Sequence, residues 1–164
     1  MKIYFAGDHA GFEMKKALMA LVAELGYDVE DCGAYEKDKA DDYPDFIASA
    51  ARKLSDDVLD GQESRAIVTG ASGQGEAMMA NRFKGVRCGV YYGDPGRKQT
   101  DMSGNQLGIL ASSREHQNSN CLSLGLRFLT PEESKDAVKK WLETGFSGDE
   151  RHVRRIEKLD RLGA

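Results

Sequence analysis

Short apolar runs alternate with segments of helical periodicity along the whole chain. Ile3 to Ala6 is a β-branched and aromatic run that predicts a first strand. Met14, Leu18, Leu21, Val22 and Leu25 then recur at spacings of three and four, which places them on one helical face, and Gly26 supplies a stop. Tyr27 to Asp31 predicts a second strand. Phe46, Ile47, Ala50, Ala51 and Leu54 mark a second amphipathic helix, with Pro44 near its start, where a missing N–H costs little. Ala66 to Thr69, Val86 to Tyr91 and Cys121 to Leu124 predict three further strands, and a helix opening near Pro131 offers Ala137, Val138, Trp141 and Leu142 to a core. Regular β/α alternation implies an α/β domain over residues 1–145: a doubly wound, open parallel sheet of about five strands, covered by helices on both faces. Residues 146–164 read as a separate basic tail helix.

In Rossmann-like three-layer sandwiches of this kind, ligands gather at the carboxyl ends of the strands. Asp8 and His9 follow the first strand, Gly70 to Glu76 follow the third, and Gly93 to Ser113 follow the fourth, so all three are expected at one edge. The third connection is the most informative. Arg65-Ala-Ile-Val-Thr69 breaks into Gly70-Ala-Ser-Gly-Gln-Gly-Glu76, which enters the helix-like Ala77-Met-Met-Ala-Asn-Arg82. Such a turn aims several backbone N–H groups at one spot, where an anion or a developing oxyanion can sit, with a carboxylate beside it. The loop lacks the Gly-Lys-Ser/Thr ending of a nucleotide P-loop, and Gly70-x-x-Gly73-x-Gly75 misses the dinucleotide spacing. By itself it is either an anion cradle or a tight strand-to-helix turn. The fourth connection carries Asp94-Pro-Gly96 and Ser103-Gly-Asn105, the chemistry of turns within a long loop.

Composition narrows the field. A chain of 164 residues with 40% hydrophobic residues suits one core. The net charge of −4, with no massed basic run, gives no support for nucleic-acid or membrane binding. No signal peptide and no segment of membrane-spanning length is expected. Cys32, Cys88 and Cys121 are odd in number and far apart, which argues against disulfides and for a reducing, cytoplasmic setting; they read as buried packing residues. The three histidines and three cysteines show no ligand spacing, so a metal site is not expected; no other cofactor is expected either.

Five separated segments carry a resemblance: Asp8-His-Ala-Gly-Phe-Glu13, Asp42-Tyr-Pro-Asp45, the glycine loop running into Ala80-Asn81, Arg114-Glu-His116, and Arg151-His-Val-Arg-Arg155. In this order they resemble the ribose-5-phosphate isomerase B family and its relatives, the galactose-6-phosphate isomerase subunits, over nearly the whole chain. The resemblance implies a metal-free aldose–ketose isomerase of phosphorylated sugars that works through a cis-enediol. The family divides by its base, either a cysteine opening the glycine loop or a glutamate closing it. Gly70 and Glu76 place this chain with the glutamate branch.

Carried across by position, Glu76 would move a proton between C2 and C1, and Ser72 would hydrogen-bond near the reacting oxygens. The backbone of Gly70, Ala71, Gly73, Gln74 and Gly75 would complete the enediolate cradle. His116 would help to open the furanose ring, and Asp8 and Tyr43 would contact the sugar. His9, Arg127, Arg151 and Arg155 would hold the phosphate. The last two, four apart on one helical face, would come from a neighbouring subunit, so the site would exist only in a homodimer or homotetramer. Val153, Ile156 and Leu159 give the tail an apolar side for docking.

Residue by residue, structural alternatives stand beside these roles. Glu76 could serve only the helix dipole, His9 a helix cap, His152 a solvated tail, and the arginines a solvated face. Two features depart from the family pattern: Gln117 stands where asparagine is usual, and the connection from Val90 to Arg114 is longer, its extra residues expected above the active-site edge. Ribose 5-phosphate and ribulose 5-phosphate are the default pair. A four- or six-carbon sugar phosphate, or a non-catalytic sugar-phosphate-binding module, are the alternatives.

Overall fold

Five of the apolar runs pair side by side in the computed structural model, which describes residues 1–162. They are β1 (Lys2–Gly7), β2 (Asp28–Asp31), β3 (Ser64–Gly70), β4 (Cys88–Tyr91) and β7 (Cys121–Gly125), all parallel, in the order β2-β1-β3-β7-β4. Residues 163 and 164, the end of the expected tail, lie outside the described residues. The helices are α1 (Phe12–Glu24), α2 (Tyr43–Leu59), α3 (Gln74–Ala80), α4 (Ile109–Gln117), α5 (Pro131–Glu143) and α6 (Glu150–Leu162).

Strand periodicity sorts the core into two layers. Ile3, Phe5, Ile67, Leu122 and Leu124 face Leu18, Val22, Leu110, Val138 and Trp141 of α1, α4 and α5. Tyr4, Ala6, Ala66 and Val68 face Ile47, Ala50, Ala51, Leu54 and Ala80 of α2 and α3. Helix ends follow local chemistry. Pro44 opens α2, and Thr130 caps α5, accepting from the Glu133 N–H while the Glu133 carboxylate receives the Thr130 N–H. Trp141 is fully buried, its indole N–H donating to Ser119 Oγ at 2.9 Å.

The chain leaves β1 toward β2 on one side and returns to β3 on the other, so the crevice between β1 and β3 opens at their carboxyl ends. The loops carrying Asp8 and Gly70 flank that crevice.

Three expectations are corrected. Leu25 lies at the C-terminal cap of α1, 43% exposed, because the helical face has rotated away from the sheet there. Cys88 is only half-buried, since β4 is the sheet edge. The extra residues of the long connection after β4 do not sit above the carboxyl edge of their own chain. They form a small antiparallel hairpin, β5 (Gln99–Thr100) and β6 (Gln106–Leu107), which lies along α4.

Candidate active site

The carboxyl edge gathers Asp8, His9, Tyr43, Gly70 to Glu76 and Arg127. At Gly73 the backbone takes φ +75°, the left-handed turn that ends β3 and starts α3. Ser123 Oγ donates to the Gly73 carbonyl at 2.6 Å, and the Leu126 and Arg127 N–H groups donate to the Gly70 and Ala71 carbonyls at 3.0 Å. The glycine loop is thus fastened to the end of β7, which brings Arg127 alongside it. The Gln74 N–H donates to Ser72 Oγ at 3.3 Å. The opening N–H groups of α3 have no intrahelical acceptor.

Glu76 folds back over the loop and is 4% exposed. A Cβ built on Gly70 would stand 1.7 Å from Glu76 Oε1, so the carboxylate fills the space a side chain at 70 would need. A Cβ on Gly75 would likewise meet the Tyr43 ring at 2.7 Å. Burial raises the Glu76 carboxyl above the usual glutamate range; its own backbone N–H opposes this, and the charge of Asp8 adds to it. The result is a shielded carboxylate poised to take up a proton.

Asp8 accepts from the N–H groups of Ala10 and Gly11 at 3.0 and 3.2 Å. Beside it His9 Nδ1 lies 2.5 Å from Asp41 Oδ1. The bond to Asp41 raises the His9 pKa above its ordinary value, with Asp8 contributing, against burial and the charge of Arg127. A cationic His9 beside Arg127 suits a phosphate dianion. Asp41 Oδ2 is buried with no hydrogen-bond partner among the described residues. Asp8, His9 and Asp41 offer ligand atoms all within 4.8 Å of one another, a possible cation set that spacing along the chain did not reveal because Asp41 comes from a different loop.

His116, Gln117 and Arg151 lie elsewhere. α4 runs antiparallel to the strands, so its C-terminal end returns to their amino edge: Asn118 and Asn120, just past it, bond Arg87 ahead of β4. From there to the level of Gly70 and Gly125 is five residues of β7, about 16 Å at the usual strand rise. Within one chain, therefore, His116 and Arg151 do not join Glu76. Together they build a second cluster. The His116 ring lies against that of His152, centroids 4.3 Å apart. His152 is buried rather than solvated; burial, then His116 and Arg151, lower its pKa, and its Nε2 accepts from Arg151 Nε at 3.1 Å. Arg151 Nη2 also reaches Ser103 Oγ at 3.0 Å and Asp149 at 3.1 Å. Gln117 is exposed and lines a hollow with Phe83, Cys88 and Leu159. Arg155 is exposed on α6, while Ile156 is buried against its own chain and Val153 and Leu159 are left exposed.

The model for the family described as Ribose/Galactose Isomerase matches residues 3–159. The chain belongs to this family. Among its members, ribose-5-phosphate isomerase B of Mycolicibacterium paratuberculosis is 36% identical over 160 residues, 97% of this chain and 89% of that protein. The crystal structure of ribose-5-phosphate isomerase B from Mycoplasma genitalium, with bound ribulose 5-phosphate, superposes with a TM-score of 0.82 at 31% identity, covering 98% of this chain and 95% of the other. The Thermotoga maritima family member gives 0.76 at 32% identity, covering 98% and 97%.

Asp41, Gln99, Asp101 and His152 were not singled out as site residues from the sequence. Asp41 adjoins the Asp42-Tyr-Pro-Asp45 segment and was legible at most as part of an acidic pair. Asp101 lies in a turn, and its neighbours come from two distant helices.

Proposed function

We propose that this chain interconverts ribose 5-phosphate and ribulose 5-phosphate through a cis-enediolate, in sites each assembled from two copies of the chain. The observation that carries this reading is the Glu76 carboxylate, buried against Gly70 beside a ring of backbone N–H groups at the β1/β3 crevice. Ribulose 5-phosphate bound to the Mycoplasma genitalium relative supports the substrate class.

On this reading His9 and Arg127 of one chain, with Arg151 and Arg155 of another, hold the phosphate, while Asp8 and Tyr43 contact the sugar hydroxyls. Glu76 takes the proton from C2 of the open-chain aldose and returns it to C1, while the C1 oxygen gains a proton and the C2 hydroxyl gives one up. Loop N–H groups and Ser72 stabilise the oxygens that gain charge in between. His116 assists the opening of the furanose ring. The separation of the two clusters supports a shared site, because a single sugar phosphate is shorter than the sheet edge-to-edge span. The three cysteines are free thiols, in keeping with a cytoplasmic setting, and no helix among the described residues is long and apolar enough to cross a membrane.

The test is a panel of tetrose, pentose and hexose phosphates, with deuterium uptake at the carbon next to the carbonyl as a second readout. Ribose 5-phosphate should be converted with exchange. Preference for a four- or six-carbon sugar would move the substrate while keeping the chemistry, and binding without exchange would leave a non-catalytic module. Excess chelator should leave the rate unchanged; a loss restored by a divalent cation would instead assign Asp8, His9 and Asp41 to a metal.

A further inference from the structure

The hairpin between β4 and α4 ends on the second cluster. Asp101, at its turn, has a side chain only 6% exposed, and its two oxygens do different things. Oδ1 accepts from the Ser103 and Asn105 N–H groups, both at 2.8 Å, and these bonds shape the turn. Oδ2 accepts a longer bond from Asn105 Nδ2 at 3.4 Å and stands 3.5 Å from His116 Nε2 and 3.9 Å from Arg151 Nη2. His116 Nε2 is buried and makes no hydrogen bond among the described residues. Its other nitrogen, Nδ1, is faced by Gln99 Nε2 at 3.5 Å, and Gln99 belongs to the same hairpin. Ser103, also of this turn, accepts from Arg151.

A turn of this type needs one side-chain oxygen, which asparagine supplies as well as aspartate. The charge is therefore surplus to the turn. A carboxylate withdrawn this far from water is costly unless cations compensate it, and the groups placed to do so are His116 and Arg151. Burial alone would raise Asp101, but the backbone bonds from Asn105 and Ser103, with His116, outweigh it and hold the carboxyl below its usual range.

We infer that Asp101 is a positioning residue for the isomerase reaction: its carboxylate holds the His116 imidazole with the proton on Nε2, leaving Nδ1 to exchange protons with the sugar. The inference rests on the function proposed above. The step it serves is ring opening. The C1–O4 bond of the furanose breaks with its electron pair on O4. Protonated His116 gives O4 a proton, the C1 hydroxyl loses its proton to water as the carbonyl forms, and water reprotonates the imidazole. Ribulose 5-phosphate cannot close a five-membered ring, because its O5 carries the phosphate. Removal of its C1 proton by Glu76 therefore needs no help from His116.

This separation provides the test, made on the full chain. Asp101→Asn keeps the Oδ1 acceptor of the turn and removes the charge. Net conversion of ribose 5-phosphate should fall about tenfold or more, whereas exchange of the C1 proton of ribulose 5-phosphate in deuterated water should stay within about twofold of wild type. Equal conversion by the variant, or a parallel fall in conversion and exchange, would overturn the proposal. Nitrogen shifts of His116 in the wild-type chain give a readout independent of any variant. The neutral ring should carry its proton on Nε2, and a dominant Nδ1–H tautomer would overturn the assignment. A wild-type chain that neither converts nor exchanges would sink the functional reading and this proposal together, a result distinct from an active wild type with an equally active Asp101→Asn.

Discussion

Glu76 and Gly70 occupy one space between them, which makes the side chain at 76 conditional on the absence of one at 70. Gly70→Ala should expel the carboxylate from its seat and reduce kcat by a factor close to that of removing it, with the melting temperature as the check on folding. Glu76→Gln should lower kcat by about 10²–10⁴-fold, the range for loss of a general base, while calorimetry shows ribulose 5-phosphate still bound. The raised carboxyl also sets a pH dependence. Activity should fall with acid through a pKa above the usual glutamate range, since only the deprotonated form is a base. For stability the sign is opposite. A folded-state pKa raised above the unfolded one stabilises at pH below the unfolded value, and that contribution is lost as pH rises through the folded value. At neutral pH, Glu76→Gln should therefore melt higher than wild type, and the gain should vanish below the ordinary glutamate pKa. A scan of melting temperature against pH measures this directly.

At the scale of elements, the long alternating segments were legible because burial on both faces of a parallel sheet leaves a strong period. β3, with every residue buried, and α5, with Ala137, Val138, Trp141 and Leu142 inward, show it plainly. The β5–β6 hairpin was not legible: two-residue strands with three of four positions exposed leave no period, and only the turn residues spoke. The glycine loop was legible as a cradle, but the pairing of His9 with Asp41 was not, since that contact depends on how the loop before α2 comes to rest. The direction of α4 follows from any strand–helix–strand crossover, yet matching motifs one by one put His116 with Glu76 regardless of the edge it occupies. Trp141 ties α5 to the amino edge of the sheet: its ring lies near Arg65 of β3 and Arg114 of α4, at 5.3 and 5.8 Å. Trp141→Ala should cost about 3–5 kcal/mol, read from urea unfolding by circular dichroism, because the chain's one tryptophan is lost with it.

For the whole molecule, the two clusters sit at opposite edges of one sheet, and the proposed site needs one of each. Mixed chains provide the sharpest check. Glu76→Gln disables the carboxyl-edge cluster and Arg151→Ala the other, so each homodimer should be nearly inactive. Unfolded together and refolded as a mixture, half of the dimers pair unlike chains, and each of these owns one intact site, restoring about a quarter of wild-type activity under two-fold pairing. No recovery would mean that each chain completes its own site. The placement of the clusters also dictates how two copies lie. If the carboxyl edge of one chain meets the amino edge of its partner, symmetry returns the same contact in reverse, and the strands of the two sheets must point in opposite directions. A parallel, shifted arrangement would satisfy one site and leave a free edge at each end, and the chains would then grow into a filament rather than close as a pair.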